Sequence, residues 1–102
     1  MKFISSTNDI RKYLGLKPKK NIHFKNISID TRTIKKDSLF IALKGENFNG
    51  NKFIQKAFSS GATAVLCSEK SYINKNNVIY VPSVRNALSK ISFEIASDFK
   101  GK

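Results

Sequence analysis

The stretch from Ile29 to Leu66, IDTRTIKKDSLFIALKGENFNGNKFIQKAFSSGATAVL, changes its periodicity twice and so determines the fold class. Its run SLFIAL is almost wholly apolar and predicts a buried strand. After the polar turn KGENFNGN, apolar residues recur every three or four positions from Phe53 to Phe58 and predict a helix that ends near Gly61. The run TAVLCS predicts another strand. A strand, a helix and a strand in succession indicate an α/β domain.

The segments on either side extend the same pattern. Ser6 and Asp9 form a capping box that predicts a first short helix near the amino terminus. The segment NISIDTR alternates apolar and polar residues, so we expect a strand with one covered face that carries Ile27 and Ile29. The segment VIYV predicts a further strand, and Ser83 can cap a final helix. An apolar stripe on that helix comprises Val84, Leu88, Ile91, Ile95 and Phe99.

Length and composition indicate one small folded domain over residues 1–102. We expect an α/β fold with a mixed sheet of about four or five strands and helices packed against it. The sequence has neither a signal peptide nor the roughly 20 consecutive apolar residues of a membrane span, so we expect a cytoplasmic protein without membrane contact. Cys67 is the only cysteine and predicts a small buried residue. No pattern argues for assembly, and we expect a monomer.

Basic residues outnumber acidic ones by 19 to 7, which gives a formal net charge of +12 at pH 7. Such an excess favours anionic ligands and would ordinarily indicate nucleic acid. The lysines, however, are scattered from Lys2 to Lys102 instead of being gathered on one helix. The sequence also lacks a pattern of exposed aromatic residues on which bases could stack. We therefore expect no nucleic-acid partner, and keep a freestanding basic module that binds RNA or another polyanion as the alternative.

No combination of residues in the sequence predicts an active site. His23 is the only histidine, and nothing near it suggests a nucleophile. The few carboxylates are dispersed, which argues against a carboxylate dyad or a metal cluster. Gly45 and Gly50 have the separation of the phosphate-loop glycines, but Asn51 stands where the lysine is needed. We therefore expect no catalysis by this chain alone and no metal or cofactor bound to it.

Two local features can bind a ligand. Asp30 and Arg32 follow a predicted strand, and at a period of two they emerge on one side while Thr31 turns to the other. The carboxylate can then hold the guanidinium in a fixed pose for an anionic group, although a plain surface ion pair worth little fits the same residues. The turn KGENFNGN leads to a helix whose first amides can bind a phosphate, a carbonyl or a ring edge. Alternatively, Asn51 satisfies that helix and Phe48 packs inward.

Together these stretches resemble the amino-terminal domain of the Mur ligase family. The family's pattern runs as a strand ending in D-[ST]-R, a turn, D-L-F-[VI]-A-L-[KR]-G, a short loop, D-G-H-x-F-I, and A-x-x-x-G-A-x-A-V. Residues 29–66 keep its order and spacing. The departures from it are Asp37, Ser38, Asn49 and Asn51. The resemblance implies a small α/β domain that binds a UDP-N-acetylmuramoyl-peptide, with the turn after the second strand helping to hold the UDP group.

The resemblance also implies which residues contact this substrate. They are Ile29, Thr31, Arg32, Glu46, Asn47 and Phe48. For Arg32 two roles stay open, contact with the ligand or support of the fold. We expect the bend between Leu43 and Lys52 to lie beside the end of the first strand, and to form with it a cradle for a uridine diphosphate sugar.

Within the family, the motifs are most similar to the ligase that adds D-alanyl-D-alanine to UDP-N-acetylmuramoyl-tripeptide, the MurF type. The enzyme that adds the third stem-peptide residue, the MurE type, comes second. The resemblance covers one domain of three, because the chain ends at FKGK, about where a linker to the ATP-binding domain would begin. In the whole enzyme, ATP and magnesium convert a peptide carboxylate to an acyl phosphate, which an amine attacks. The implied partners are the UDP-linked peptide and the central and carboxy-terminal ligase domains of the same polypeptide.

Overall fold

The structure, a computed structural model, describes residues 4–45 and 49–100, with the side chains of 96–100 left out. The helices are α1 (Thr7–Tyr13), α2 (Ile54–Ser59) and α3 (Val84–Lys100). The strands are β1 (Asn26–Ser28), β2 (Ser38–Ile41), β3 (Ala62–Cys67) and β4 (Val78–Tyr80). Short 3-10 turns occupy Thr31–Thr33, Gly50–Phe53 and Lys70–Tyr72. Each predicted strand and helix is present, and the α/β class is confirmed.

The four strands form one sheet in the order β1-β2-β3-β4, and each pair of neighbours is parallel. The expectation of a mixed sheet is therefore wrong for the described strands. The segment between β1 and β2 runs back along the sheet through a 3-10 turn instead of closing a hairpin. Asp37, at a φ of 62°, ties the strand starts together, because its N–H donates to Gly61 O at 3.1 Å and its carbonyl accepts from Lys25 N at 2.7 Å.

Helices cover both faces of the sheet, so the core has two parts. α1 and α3 pack on one face against residues such as Leu39 and Leu66, while α2 packs on the other against Phe40 and Val65. Neighbouring strand residues thus alternate between the two parts. Cys67 belongs to the α2 side and is fully buried, and this burial raises the pKa of its thiol. It is a small core residue, as predicted.

Strand β1 differs from the other three, because its apolar residues stay in contact with solvent. Ile27 is 47% exposed and Ile29, just after the strand, is 54% exposed. The prediction of a covered face is therefore wrong for β1. The physical reason is missing cover: neither part of the core includes a β1 residue, whereas β4, at the other edge of the sheet, contributes Val78 and Ile79 to the core. The end of β1 is consequently available to other groups.

The opposite edge of the sheet is closed by a buried arginine that the sequence patterns did not indicate. Arg11, on α1, is 2% exposed. Its Nη2 donates to the carbonyls of Asn76 and Val78, at 3.3 and 3.2 Å, and its Nη1 donates to Asn8 Oδ1 at 3.1 Å. Burial lowers the pKa of the guanidinium. Arg11 therefore joins α1 to β4 and occupies main-chain acceptors at that edge.

The helix caps follow the sequence prediction. Ser6 Oγ accepts from Asp9 N at 3.4 Å at the start of α1, and Ser83 Oγ accepts from Asn86 N at 3.2 Å at the start of α3. Of the predicted stripe on α3, the structure at least partly buries Val84, Leu88, Ile91 and Ile95, and the side chain of Phe99 lies outside the described part. Within the described residues, no helix combines the length and apolar character that a bilayer crossing requires.

Candidate functional site

A hollow of about 430 Å³ lies between the end of β1 and helix α2. We call it the β1 hollow. Its lining residues are Ile29, Asp30, Thr31, Arg32, Phe40, Phe53 and Lys56. The structure therefore brings together the three site residues that were predicted at the end of the first strand. The other three predicted residues, Glu46, Asn47 and Phe48, lie outside the described residues.

Asp30 and Arg32 form a tight pair at the mouth of this hollow. Asp30 Oδ2 accepts from Arg32 Nη2 at 2.7 Å, and Arg32 Nε lies 3.1 Å from both carboxylate oxygens. Asp30 Oδ1 also accepts from the backbone N–H of Arg32 at 2.9 Å. Asp30 is thus the N-cap of the 3-10 turn Thr31–Thr33. The pair exists because the chain turns here, so the predicted strand alternation of these residues is wrong while their pairing is confirmed.

The electrostatics of the pair follow from these contacts. Hydrogen bonds from the Arg32 side chain and backbone hold the pKa of the Asp30 carboxyl at about 2, below its ordinary 3.8. The hydrogen bond to Asp30 raises the pKa of Arg32 in turn. The Arg32 side chain remains 84% exposed. Its Nη1 donates to no other described residue, so this edge of the guanidinium can bind a further acceptor.

One side of the β1 hollow is apolar. Phe40 is buried at its base, and Ile29 and Phe53 stand at its border with 54% and 36% exposure. Phe53 was predicted to share the buried side of a helix with Ile54 and Ala57. The chain enters that helix through the 3-10 turn Gly50–Phe53, and α2 proper starts at Ile54. Because a 3-10 turn rotates side chains differently from an α-helix, Phe53 lines the hollow instead.

Lys56 completes the lining on the α2 side. It is exposed, and its Nζ has no carboxylate within 4.0 Å among the described residues. Asp30, the described carboxylate in this lining, is already paired with Arg32. As far as the described residues show, the hollow therefore combines an apolar surface with a cation, Lys56, that no carboxylate pairs with. Sequence reasoning missed both Phe53 and Lys56 as site residues, because apolar periodicity placed Phe53 on the buried side of the predicted helix and Lys56 away from it.

The bend after β2 is closed by a contact that only glycine permits. Gly50 N donates to Leu43 O at 2.6 Å, and Lys44 and Asn49 form an antiparallel bridge. A Cβ on Gly50 would lie 2.7 Å from Leu43 O and 2.8 Å from Leu43 N. The 3-10 turn Gly50–Phe53, which leads into α2, is capped by Asn49, whose Oδ1 accepts from Asn51 N at 3.0 Å. The alternative in which Asn51 satisfies the helix is therefore wrong.

The described start of the bend opens into a different hollow, at the carboxyl edge of the sheet. This second hollow, of about 740 Å³, is lined by Leu43, Lys44, Gly45, Ser68, Pro82, Ser83, Val84, Arg85, Leu88 and Ser89. The segment after the bend reaches the β1 hollow through Phe53. No described residue of the bend between Leu43 and Lys52 lines the β1 hollow, so the expected cradle between the bend and the end of β1 is not confirmed; residues 46–48 of the bend lie outside the described part.

The chemistry of the described residues is that of a binding surface. They contain no group of three or more His, Cys, Asp or Glu side chains that could hold a metal ion. His23 is exposed and lies at an antiparallel bridge with Ser6. The β1 hollow offers hydrogen-bond donors and positive charge beside apolar side chains. Such a lining suits a ligand that combines an anionic part with a flat ring.

Sequence comparison connects this fold with enzymes of one family. A family model described as "Mur ligase family, catalytic domain" matches residues 23–96. A UDP-N-acetylmuramoyl-L-alanyl-D-glutamate--2,6-diaminopimelate ligase of Rickettsia prowazekii is 41% identical over 69 residues, which make up 68% of this chain and 14% of the relative. A UDP-N-acetylmuramoyl-tripeptide--D-alanyl-D-alanine ligase of the same organism is 34% identical over 90 residues, 87% of this chain and 20% of the relative. The chain thus spans a fifth or less of these relatives.

Solved structures agree with this assignment. The MurF ligase of Thermotoga maritima superposes with a TM-score of 0.58 at 27% identity, over 69% of this chain and 16% of that protein. MurF of Acinetobacter baumannii superposes with a TM-score of 0.65 over 85% of this chain and 20% of that protein, and at 20% identity it supports the fold alone. The preference for the MurF type is not confirmed, because the diaminopimelate ligase matches at higher identity. From the family match and the shared fold together, this chain belongs to the Mur ligase family.

Proposed function

We propose that this chain is the substrate-recognition domain of a peptidoglycan-precursor ligase, and that the β1 hollow binds the nucleotide end of a UDP-N-acetylmuramoyl-peptide. The observation that carries the proposal is the meeting of Ile29, Thr31 and Arg32 in one hollow with Phe53 and Lys56. The first three residues come from the motif that the family resemblance links to this substrate. The last two supply the ring-binding surface and the charge that the same ligand requires.

Different residues of the β1 hollow match different parts of this ligand. Uracil is a flat ring, and Ile29 and Phe53 present apolar surface at the border of the hollow. The diphosphate is an anion, and the ammonium of Lys56 is a cation that can bind it. The ribose and the uracil carry acceptor oxygens, and the Nη1 edge of Arg32, which has no partner among the described residues, can donate to them. The peptide then extends away from the domain. Binding energy at the remote nucleotide would hold the reacting carboxylate in position for chemistry elsewhere in the enzyme.

The proposal covers both ligase types, since the printed names of both relatives contain UDP-N-acetylmuramoyl. Higher identity favours the diaminopimelate ligase, while wider coverage favours the D-alanyl-D-alanine ligase. In either case ATP and magnesium would act in other domains of the polypeptide, because the described residues carry neither a phosphate loop nor a metal cluster. A substrate linked to a nucleotide and an ATP-dependent reaction favour the cytoplasm as the place of action.

The test is a titration of the 102-residue chain at two salt concentrations with three ligands: UDP-N-acetylmuramoyl-tripeptide, UDP, and a single-stranded oligonucleotide. We expect saturable binding of both uridine compounds, with a measurable salt dependence that is much shallower than that of a bound oligonucleotide. Binding of the oligonucleotide alone, with a steep loss of affinity at higher salt, would instead support the polyanion alternative. A comparison of UDP with ADP at equal charge tests whether the base is recognised, and equal affinities would contradict the proposal.

A further inference from the structure

The geometry points to a division of roles between the two cations of the β1 hollow: Lys56 determines specificity for the charge of the diphosphate, and Arg32 is a positioned hydrogen-bond donor. This inference rests on the proposed function, because it assumes a nucleoside diphosphate in the hollow. The two residues lie on different elements of the fold: Arg32 belongs to the motif at the end of β1, and Lys56 belongs to α2.

Arg32 is held in place but brings little net charge. Its Nε and Nη2 both contact the Asp30 carboxylate, and the shortest of these distances is 2.7 Å. A carboxylate and a guanidinium this close, in exposed surroundings, act on a third charge largely as a dipole, whose field falls off faster than that of a single ion. What Arg32 retains is a fixed Nη1 edge with two N–H donors. A bidentate pair of this kind orients a donor well.

Lys56 has the opposite properties. No described carboxylate lies within 4.0 Å of its Nζ, so none of the described residues compensates its charge at the hollow. It stands three residues after Phe53, and the two side chains line the same hollow. An ammonium on a flexible four-carbon stem can follow a phosphate group without a fixed geometry. Lys56 is therefore the residue that distinguishes a charged nucleotide from a neutral nucleoside.

The experiment compares the binding of UDP and of uridine to the intact chain and to the variant Lys56→Gln. Loss of a charge-assisted contact predicts about tenfold weaker UDP binding and no change for uridine. The matched control is Lys52→Gln, because Lys52 is also exposed and lies four residues away, but outside the lining. Lys52→Gln makes the same change in net charge, and we expect its affinity for UDP to stay within about twofold of that of the unaltered chain.

A second variant isolates Arg32. The single change Arg32→Gln would free the Asp30 carboxylate and add a negative charge, so the neutral pair Asp30→Asn with Arg32→Gln is the proper test. We expect this double variant to bind UDP and uridine more weakly, by similar factors. The salt dependence of UDP binding should stay unchanged in the double variant, whereas Lys56→Gln should make it shallower. Circular dichroism of each variant checks that the domain remains folded.

The outcomes separate this inference from the proposed function. If UDP binds to the unaltered chain but Lys56→Gln and Lys52→Gln bind it equally well, the role of Lys56 is refuted and the proposed function stands. If the double variant loses the salt dependence instead of Lys56→Gln, the roles of the two cations are reversed and the inference is wrong. If the unaltered chain binds no uridine compound, both fail.

Discussion

Asn51 and Ser68, 17 positions apart in the sequence, form two hydrogen bonds, and each residue is the donor in one of them. Asn51 Nδ2 donates to Ser68 Oγ at 3.0 Å, and the backbone N–H of Ser68 donates to Asn51 Oδ1 at 3.1 Å. Asn51 lies near the end of the bend after β2, and Ser68 directly follows β3. This pair fixes the bend against the carboxyl edge of the sheet, and with it the position from which Phe53 enters the β1 hollow.

Replacement of Asn51 by alanine is expected to destabilise the domain by about 1–3 kcal/mol, because it leaves the half-buried N–H of Ser68 without its acceptor. The control Ser68→Ala removes the hydroxyl but keeps that backbone bond, so its cost should be smaller. Urea unfolding of both variants measures the difference. Equal costs would show that the backbone bond to Asn51 contributes nothing.

Gly50→Ala is expected to cost roughly 1–3 kcal/mol, because the new Cβ would press on main-chain atoms of Leu43 at 2.7 and 2.8 Å. The bend must open to relieve this contact, so we also expect amide shift changes at Asn49 and Asn51. The control Gly15→Ala meets no atom within 4 Å and pays only for its φ of 71°, about 1–2 kcal/mol. A Gly50→Ala domain with an unchanged bend would contradict the close approach.

Arg11→Met is expected to destabilise the domain by about 1.5–3 kcal/mol. The methionine keeps most of the side-chain volume but leaves the buried carbonyl of Val78 without its charged donor. Thermal unfolding measures the loss, and size-exclusion chromatography tests whether the uncovered edge of β4 promotes association. The control is Arg85→Met on the exposed side of α3, which should change stability by less than about 0.5 kcal/mol. Equal effects of the two changes would refute a structural role for Arg11.

The Asp30 carboxyl is expected to titrate near pH 2, against an ordinary value of 3.8. Because its pKa is lowered in the folded state, the pair with Arg32 stabilises the fold above the ordinary value, and this contribution is lost as the pH falls towards 2. A carbon-13 NMR titration of the side chain measures the midpoint. In Arg32→Gln it should rise towards 3.8. A midpoint already at the ordinary value in the unaltered chain would mean that the pair is not formed in solution.

The local features of this fold could be predicted from the sequence because each depends on neighbours along the chain. The cap of Ser6 on Asp9 and the turn at Asp37 are of this kind. The parallel direction of β1 and β2 could not, since apolar periodicity is the same for either direction. The exposure of Ile27 was missed because a pattern of alternation does not say which strands the helices cover.

The candidate site likewise has a part that could be predicted from neighbours along the chain and a part that could not. Ile29, Thr31 and Arg32 were identified from a contiguous motif, and the structure gathers them in one hollow. Phe53 and Lys56 reach that hollow from a segment that folds back from β2, and no pattern along the chain links them to the motif. The exposure of Phe53 was missed because it depends on the 3-10 turn that precedes α2, which apolar periodicity does not distinguish from an α-helix.

Because of the guanidinium of Arg11, the two edges of the sheet differ in the main-chain groups that they offer to another strand. At β4 its bonds to Asn76 and Val78 occupy outward carbonyls that an incoming strand would need. At β1 the outer main-chain groups have no strand partner among the described residues. Among the described strands, β1 is therefore the edge that leaves more main-chain groups available to an added strand, and the β1 hollow lies at the end of this strand.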